Sequence, residues 1–140
     1  MKKRENAKIP TRATKGSAGL DLYAAIEEPV SLKPGDLLKV PTGVAISLQS
    51  EHLVALIFGR SGLGVKHGIT LSNGVGVVDS DYRGEIFVGL CNVSKEDYTI
   101  NPGDRIAQVI VMPISNFMLI EVNDLDKTER NDSGFGSTGK

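Results

Sequence analysis

Eight glycines stand between positions 59 and 89 (Gly59, Gly62, Gly64, Gly68, Gly74, Gly76, Gly84 and Gly89). No other feature constrains the fold as much. Each glycine inside a helix costs about 1 kcal/mol relative to alanine, so this stretch of the chain cannot be a helical bundle. Glycine at this density marks turns, bulges and close backbone approaches. Around it lie short apolar runs of strand length, at residues 20–25, 37–40, 44–48, 53–58, 86–90, 106–111 and 117–122. Several are rich in Val and Ile, with no proline in their interiors. Two similar tetrads, KPGD (33–36) and NPGD (101–104), put proline second and glycine third, as a type II turn requires. Only residues 62–67 read as a short helix. The pattern predicts an all-β sandwich or barrel, with a jelly roll among the choices.

Composition bounds the function classes. The chain has 140 residues, enough for one domain. Sixteen Lys and Arg balance 17 Asp and Glu, which argues against a protein that holds nucleic acid by bulk charge. No apolar run approaches the roughly 18 residues of a membrane span. The opening MKKRENAKIP is basic with no apolar stretch behind it, unlike a secretory signal. A single cysteine, Cys91, supports neither an internal disulfide framework nor a cysteine-based zinc cluster. The expectation is a soluble cytoplasmic domain over residues 1–122. The polar, glycine-rich segment 123–140 follows as a flexible arm, unable to bury enough surface to fold alone.

Five places could carry chemistry. The end of the chain reads GFGSTGK, which matches the spacing of a phosphate-binding P-loop. Such a loop follows a strand and opens a helix, and that context is missing here. What remains is an arginine (Arg130), two hydroxyls (Ser137, Thr138) and glycine amides, including that of Gly136, suited to a phosphate wherever the arm folds over one. Arg60, Ser61 and Gly62 follow an apolar strand and lead into the short helix, a plausible anion site or an ordinary turn. In NGVGVVDSDYRGE (73–85), strand alternation would put Asp79 and Asp81 on one side, as bases or as water-mediated metal contacts. A solvated hairpin tip is the plainer alternative. Tyr82 could stack on a ligand ring. Gln108 interrupts the apolar run RIAQVIV, and Asp21 interrupts LDLYAA. Each must find partners or point at a site. His52 and His67 read as surface residues without a nucleophile to serve.

In this order the segments resemble the five motifs of the trimeric dUTP pyrophosphatase (dUTPase) family. AGLDLYAA (18–25) is similar to the first, GRSGLG (59–64) to the second and NGVGVVDSDYRGE to the third. PGDRIAQVIV (102–111) and RNDSGFGSTGK (130–140) are similar to the fourth and fifth. Gly59 stands where the family often has proline. Asn131, Asp132 and Ser133 stand where glycine or acidic residues are usual.

The resemblance implies a jelly-roll-like β-barrel, a homotrimer with three sites at subunit interfaces. It also implies Mg²⁺-assisted hydrolysis of dUTP to dUMP and pyrophosphate, which limits uracil incorporation into DNA and supplies dUMP for dTMP synthesis. Asp79 would activate the water that attacks the α-phosphorus, and Gln108 would bond near that phosphate or water. Asn73, the backbone of Gly76, Val77, Val78 and Asp79, and Phe87 would hold uracil, with Tyr82 under the deoxyribose. Arg60, Ser61 and Gly62 would reach the phosphates from a second subunit. The arm of the third would close with Phe135 on the base and Arg130, Gly136, Ser137 and Thr138 around the terminal phosphates. Asp21 would reach the metal through water. Two rivals share the scaffold. A dCTP deaminase needs a glutamate where this chain has Gly89. A non-catalytic, dUTP-gated regulatory protein would lack the base or carry an insert.

Overall fold

The computed structural model describes residues 1–132. Among them the order is β1 (Leu20–Tyr23), β2 (Val30–Leu32), β3 (Leu37–Pro41), β4 (Leu53–Phe58), α1 (Ser61–His67), β5 (Ile69–Leu71), β6 (Gly76–Val78), β7 (Phe87–Asn92), β8 (Tyr98–Ile100) and β9 (Arg105–Pro113). Every strand pairing is antiparallel. One sheet runs β1-β9-β4-β6, a second β3-β7-β5, and β2 pairs with β8 alone. The fold is all-β and jelly-roll-like, as the glycine and turn pattern predicts.

Each strand contributes to one core. Leu22, Leu32, Val40, Ile57, Ile69, Val78, Leu90, Ile100 and Ile106 come from nine different strands, and all are buried. Antiparallel pairs joined by short turns suit this arrangement, because each strand turns one face inward. The two PGD tetrads form matching corners. Asp36 N–H donates to Lys33 O at 3.0 Å and Asp104 N–H to Asn101 O at 3.1 Å. Gly35 and Gly103 have φ of +83° and +79°, the left-handed backbone that the third turn position demands. Each aspartate also reaches back to the first amide, at 3.1 Å for Lys33 and 2.7 Å for Asn101.

Two expected strands are absent. Residues 44–48 form no ladder, because their backbone is engaged elsewhere. Val44 O accepts from Ile86 N–H, and Ala45 N–H donates to Met1 O. Residues 117–122 are extended in composition only. Phe117, Met118, Leu119 and Ile120 are each at least three-quarters exposed, since no strand among the described residues pairs with them. Conversely, β2, β5 and β8 are three-residue strands too short to give a periodic signal.

Asn92 fastens the loop between β7 and β8. It is 1% exposed. Its amide donates to Leu32 O at 2.8 Å and Glu96 O at 2.7 Å, and its oxygen accepts from Ser94 N–H and Ser94 Oγ. Asn92→Leu strands these groups without partners, so urea unfolding should show a loss of about 3 kcal/mol. A loss under about 1 kcal/mol would mean that the loop re-pairs without it.

Candidate active site

Two clefts carry most of the residues singled out from the sequence, though Asp79 and Asp81 line neither, and the clefts share no lining residue. The first, of about 160 Å³, lies where β1 and β9 meet the exit of β4. Asp21 and Gln108 are directly opposed across the β1–β9 ladder, and Gln108 also faces Phe58 on β4. Asp21 is 8% exposed, and each of its oxygens meets a guanidinium. Arg60 Nε donates at 3.0 Å and Arg105 Nη1 at 3.2 Å. A buried carboxylate needs such partners. Arg60 is the residue just before α1, with extended backbone (φ −102°, ψ 132°). Its ion pair holds the guanidinium over the cleft, with N–H groups to spare. Ser61 and Gly62 continue the wall. Gln108 Nε2 donates to Gly59 O at 3.1 Å. Its oxygen lies against Gly19, where a Cβ would come within 2.7 Å of it. A side chain at position 19 would push Gln108 out of place. This polar cleft, with the Arg60 guanidinium on its wall, suits an anion with several oxygens.

The second cleft, of about 310 Å³, opens where two sheets part. Ile57, Gly76, Val77 and Val78 line it from one sheet; Lys39 and Phe87 line it from the other, with Ile86 just before β7. Segment 73–85 is therefore not a hairpin, because β6 pairs with β4 while β7 pairs with β3 and β5. It is a corner between sheets, opened by Gly74 at φ +71°. Asn73 and Tyr82 close the cleft's ends. Tyr82 Oη donates to Glu85 O at 2.9 Å. Its ring lies on Gly84, where a Cβ would come within 2.3 Å of the phenol oxygen. Lys39 Nζ stands 4.1 Å over the Phe87 ring. Aromatic faces and backbone amides in a gap between sheets suit a flat, polar-edged ring.

Asp79 directly follows β6, and Asp81 lies in the turn after it, both exposed. Strand alternation does not relate them, because both lie beyond the ladder. Tyr82 N–H closes this turn onto Asp79 O at 3.2 Å. Arg130 sits in an exposed turn in which Thr128 and Asn131 exchange side-chain bonds. Phe135, Gly136, Ser137 and Thr138 lie outside the described residues. Sequence reasoning passed over Arg105, Lys39 and Glu85. The need of a buried Asp21 for cations was a signal for Arg105, but only the β1–β9 register identifies it.

Among the described residues, no group of three or more His, Cys, Asp or Glu side chains gathers to hold a metal. The carboxylates present fit a Mg²⁺ ion carried on substrate phosphates, which takes one or two protein oxygens and keeps several waters. Gly89, the position of the deaminase glutamate, has Ser72 Oγ 2.4 Å from where a Cβ would stand. A larger side chain there must first displace Ser72.

Among the described residues, Glu85 is a cleft-lining carboxyl held below the usual carboxylate range. The hydrogen bond from Arg4 lowers it most, with Gly43 N–H and the charges of Arg4 and Lys39 adding to this against partial burial. Glu27 faces Arg4 from the loop before β2. A depressed carboxyl stabilises the fold above its unfolded value, and this is lost as pH falls through its lowered folded value. The stability advantage of the wild type over Glu85→Gln should therefore be full at neutral pH and shrink below about pH 4. Melting curves across pH check this. An advantage that stays constant to pH 2 would remove the carboxylate from the account.

A jelly-roll-like β-fold with an arginine-bearing polar cleft and an aromatic-lined cleft suits a binder of phosphorylated ring compounds, of the nucleotide class. The dUTPase family model matches residues 5–139, and the chain belongs to the dUTPase family. It is 51% identical to the deoxyuridine 5'-triphosphate nucleotidohydrolase of Coxiella burnetii (strain Dugway 5J108-111), over 94% of this chain and 87% of that one. It is 48% identical to the protein of that name from Escherichia coli O7:K1, over the same shares. A mutant dUTPase of Staphylococcus bacteriophage 80alpha, solved with dUpNHpp, superposes with a TM-score of 0.91 at 27% identity, covering 100% of this chain and 96% of that one. A mutant dUTPase from phage phi11 of S. aureus, solved for the coordination of a structural Mg(II) ion, gives 0.81 at 27% identity over 91% and 97%.

Proposed function

We infer that this chain hydrolyses dUTP to dUMP and pyrophosphate. The observation that carries the reading is the placement of an exposed carboxylate, Asp79, at the end of the strand that lines the ring-binding cleft, three residues before Tyr82. Uracil enters between the sheets. The amides of segment 76–79 and the Asn73 side chain meet its polar edge, and Phe87 closes one side. Tyr82 lies under the sugar and excludes a 2′-hydroxyl by contact. Asp79 takes the proton of the water that attacks the α-phosphorus, a role that needs only hydrogen-bond reach and an ionised carboxylate. Gln108 orients that water or the adjoining phosphate oxygen. Arg60 and Ser61 hold the phosphate chain, with Gly62 leaving room for it.

Bound Mg²⁺ supplies charge neutralisation on the triphosphate. Asp21 would reach the metal through water, and its ion pairs with Arg60 and Arg105 also let it aim the Arg60 guanidinium. Residues 123–140 act as the arm that closes over the nucleotide, with Phe135 on the base and Arg130, Gly136, Ser137 and Thr138 at the phosphates. Closure excludes water and completes the electrostatic clamp.

The working form is a homotrimer, in which one subunit's ring cleft faces the phosphate cleft of the next. The separation of the two clefts in one chain supports this, as does the apolar surface left bare after β9. Phe117, Met118, Leu119, Ile120 and Leu125 are each at least 76% exposed, more contiguous apolar surface than a monomer ordinarily shows to water. Phe117→Ser with Leu119→Ser should shift the mass in multi-angle light scattering from trimer toward monomer and cut activity by about tenfold or more. A mass unchanged at micromolar concentration would remove this segment from the interface.

The test of the function is pyrophosphate release from dUTP, dTTP, dCTP and UTP with Mg²⁺. Release from dUTP alone is expected. Equal release from UTP would refute the placement of Tyr82, and binding of dUTP without release would favour the regulatory reading.

A further inference from the structure

Glu85 joins three separate segments of the chain at the edge of the ring-binding cleft. Its Oε1 accepts from Arg4 Nε at 2.6 Å and from Gly43 N–H at 2.8 Å, while its main-chain oxygen accepts from Tyr82 Oη at 2.9 Å. The side chain is 14% exposed against 42% for Arg4, so the bond is shielded on the carboxylate side. The next residue is fixed from the same corner. Thr42 N–H and Oγ1 both donate to Ile86 O, and Ile86 N–H donates to Val44 O. Gly43 is pinned from the other side by Lys3 N–H, which donates to its oxygen at 2.7 Å, and Lys2 bridges to Val44. The first four residues thus run along the 42–45 corner and end on Glu85. A side chain in place of Gly84 would run into the Tyr82 ring, so glycine lets the ring lie where it does.

We propose that Glu85, held by Arg4, is a positioning residue for nucleoside recognition, which makes the N-terminal segment part of the dUTP site. This rests on the reading of the second cleft as the nucleoside site. The carboxylate touches no reacting atom. It fixes where the return strand begins, and its main-chain oxygen fixes the height and tilt of the Tyr82 ring. A platform that rejects a 2′-hydroxyl by contact must be held to a fraction of an ångström, and small displacements in such supports cost binding steeply. An exposed ion pair with no such role would contribute little and affect stability alone.

The experiment compares full-length wild type, Glu85→Ala, Glu85→Gln and Arg4→Gln. It reads kcat and KM for dUTP and for UTP, the Kd for dUpNHpp, and Tm. Glu85→Ala should raise KM and Kd by about tenfold with kcat within about twofold, and should narrow the preference for dUTP over UTP. Glu85→Gln keeps an acceptor for Gly43 and should recover most of the affinity, and Arg4→Gln should fall between the two. A lowered Tm with unchanged KM, Kd and dUTP preference would overturn the proposal and leave a structural bond. A fall in kcat alone would also overturn it. Should Glu85→Ala fail to fold, Arg4→Gln carries the test, because it leaves the Gly43 bond in place. Should the wild type bind dUpNHpp without hydrolysing dUTP, the hydrolase reading fails. The Kd series then still decides the role of Glu85.

Discussion

Asp79→Asn should lower kcat for pyrophosphate release from dUTP by about 10²- to 10⁴-fold while KM stays within a few-fold of wild type. Asparagine has nearly the same shape and keeps an acceptor oxygen, so nucleotide binding between the sheets persists. What it cannot do is take a proton at neutral pH. The side chain is exposed at the end of β6, so the substitution leaves no unpaired buried group, and folding is unaffected. The loss therefore reads as transition-state stabilisation and not as misfolding. Steady-state kinetics with Tm measured beside it gives the answer. Less than about tenfold loss in kcat would transfer the base to another group. A large rise in KM with kcat intact would make Asp79 a binding residue.

Arg60→Ala should act on two quantities at once. Removing one charge-assisted phosphate contact should cost kcat/KM about 10- to 100-fold. It also takes from Asp21 its first partner, at 3.0 Å, and leaves Arg105 alone to match a carboxylate that is 8% exposed. Stripping a buried pair outright costs about 3–5 kcal/mol. Here Arg105 remains and the Arg60 side chain is one-quarter exposed, so about 1–3 kcal/mol is expected after solvent screening. The two effects separate in a double variant. Asp21→Asn with Arg60→Ala removes the orphaned charge and should recover most of the stability, but none of the activity. If activity returned with stability, Arg60 would be a structural cation and the phosphate cleft would need another anchor.

The outline of the fold was legible in the residues. The run 53–58 coincides with β4, because an inner strand buries both faces and so stays apolar throughout. The PGD corners were legible because proline and glycine restrict local backbone whatever surrounds them. The short helix was bracketed by glycines, one of which, Gly68, caps it in the left-handed region. Apolar runs were less reliable guides. Residues 44–48 and 117–122 have the composition of strands, yet a strand exists only where a neighbouring backbone offers a ladder. For 44–48 the backbone is engaged by the N-terminal segment and Ile86. For 117–122 no strand among the described residues pairs with it.

Of the site, the sequence determined which residue types are present and their order along the chain. Local patterning brought out Arg60, Tyr82, Gln108 and the pair Asp79 and Asp81, and the family resemblance singled out Asp79 from that pair. Local chemistry could do this because glycines, turns and polar residues breaking apolar runs leave marks within a few positions. Only the tertiary structure decided what each group faces. Asp21 meets Arg60 and Arg105 across 39 and 84 positions of chain, a match set by the register of β1 on β9. The ring cleft is a gap between two sheets, which looked like a hairpin while only one dimension was visible. Glu85 reaches Arg4 over 81 positions. Such pairings carry no local signature, since the entropy of bringing distant segments together is repaid by the whole core and not by the pair itself.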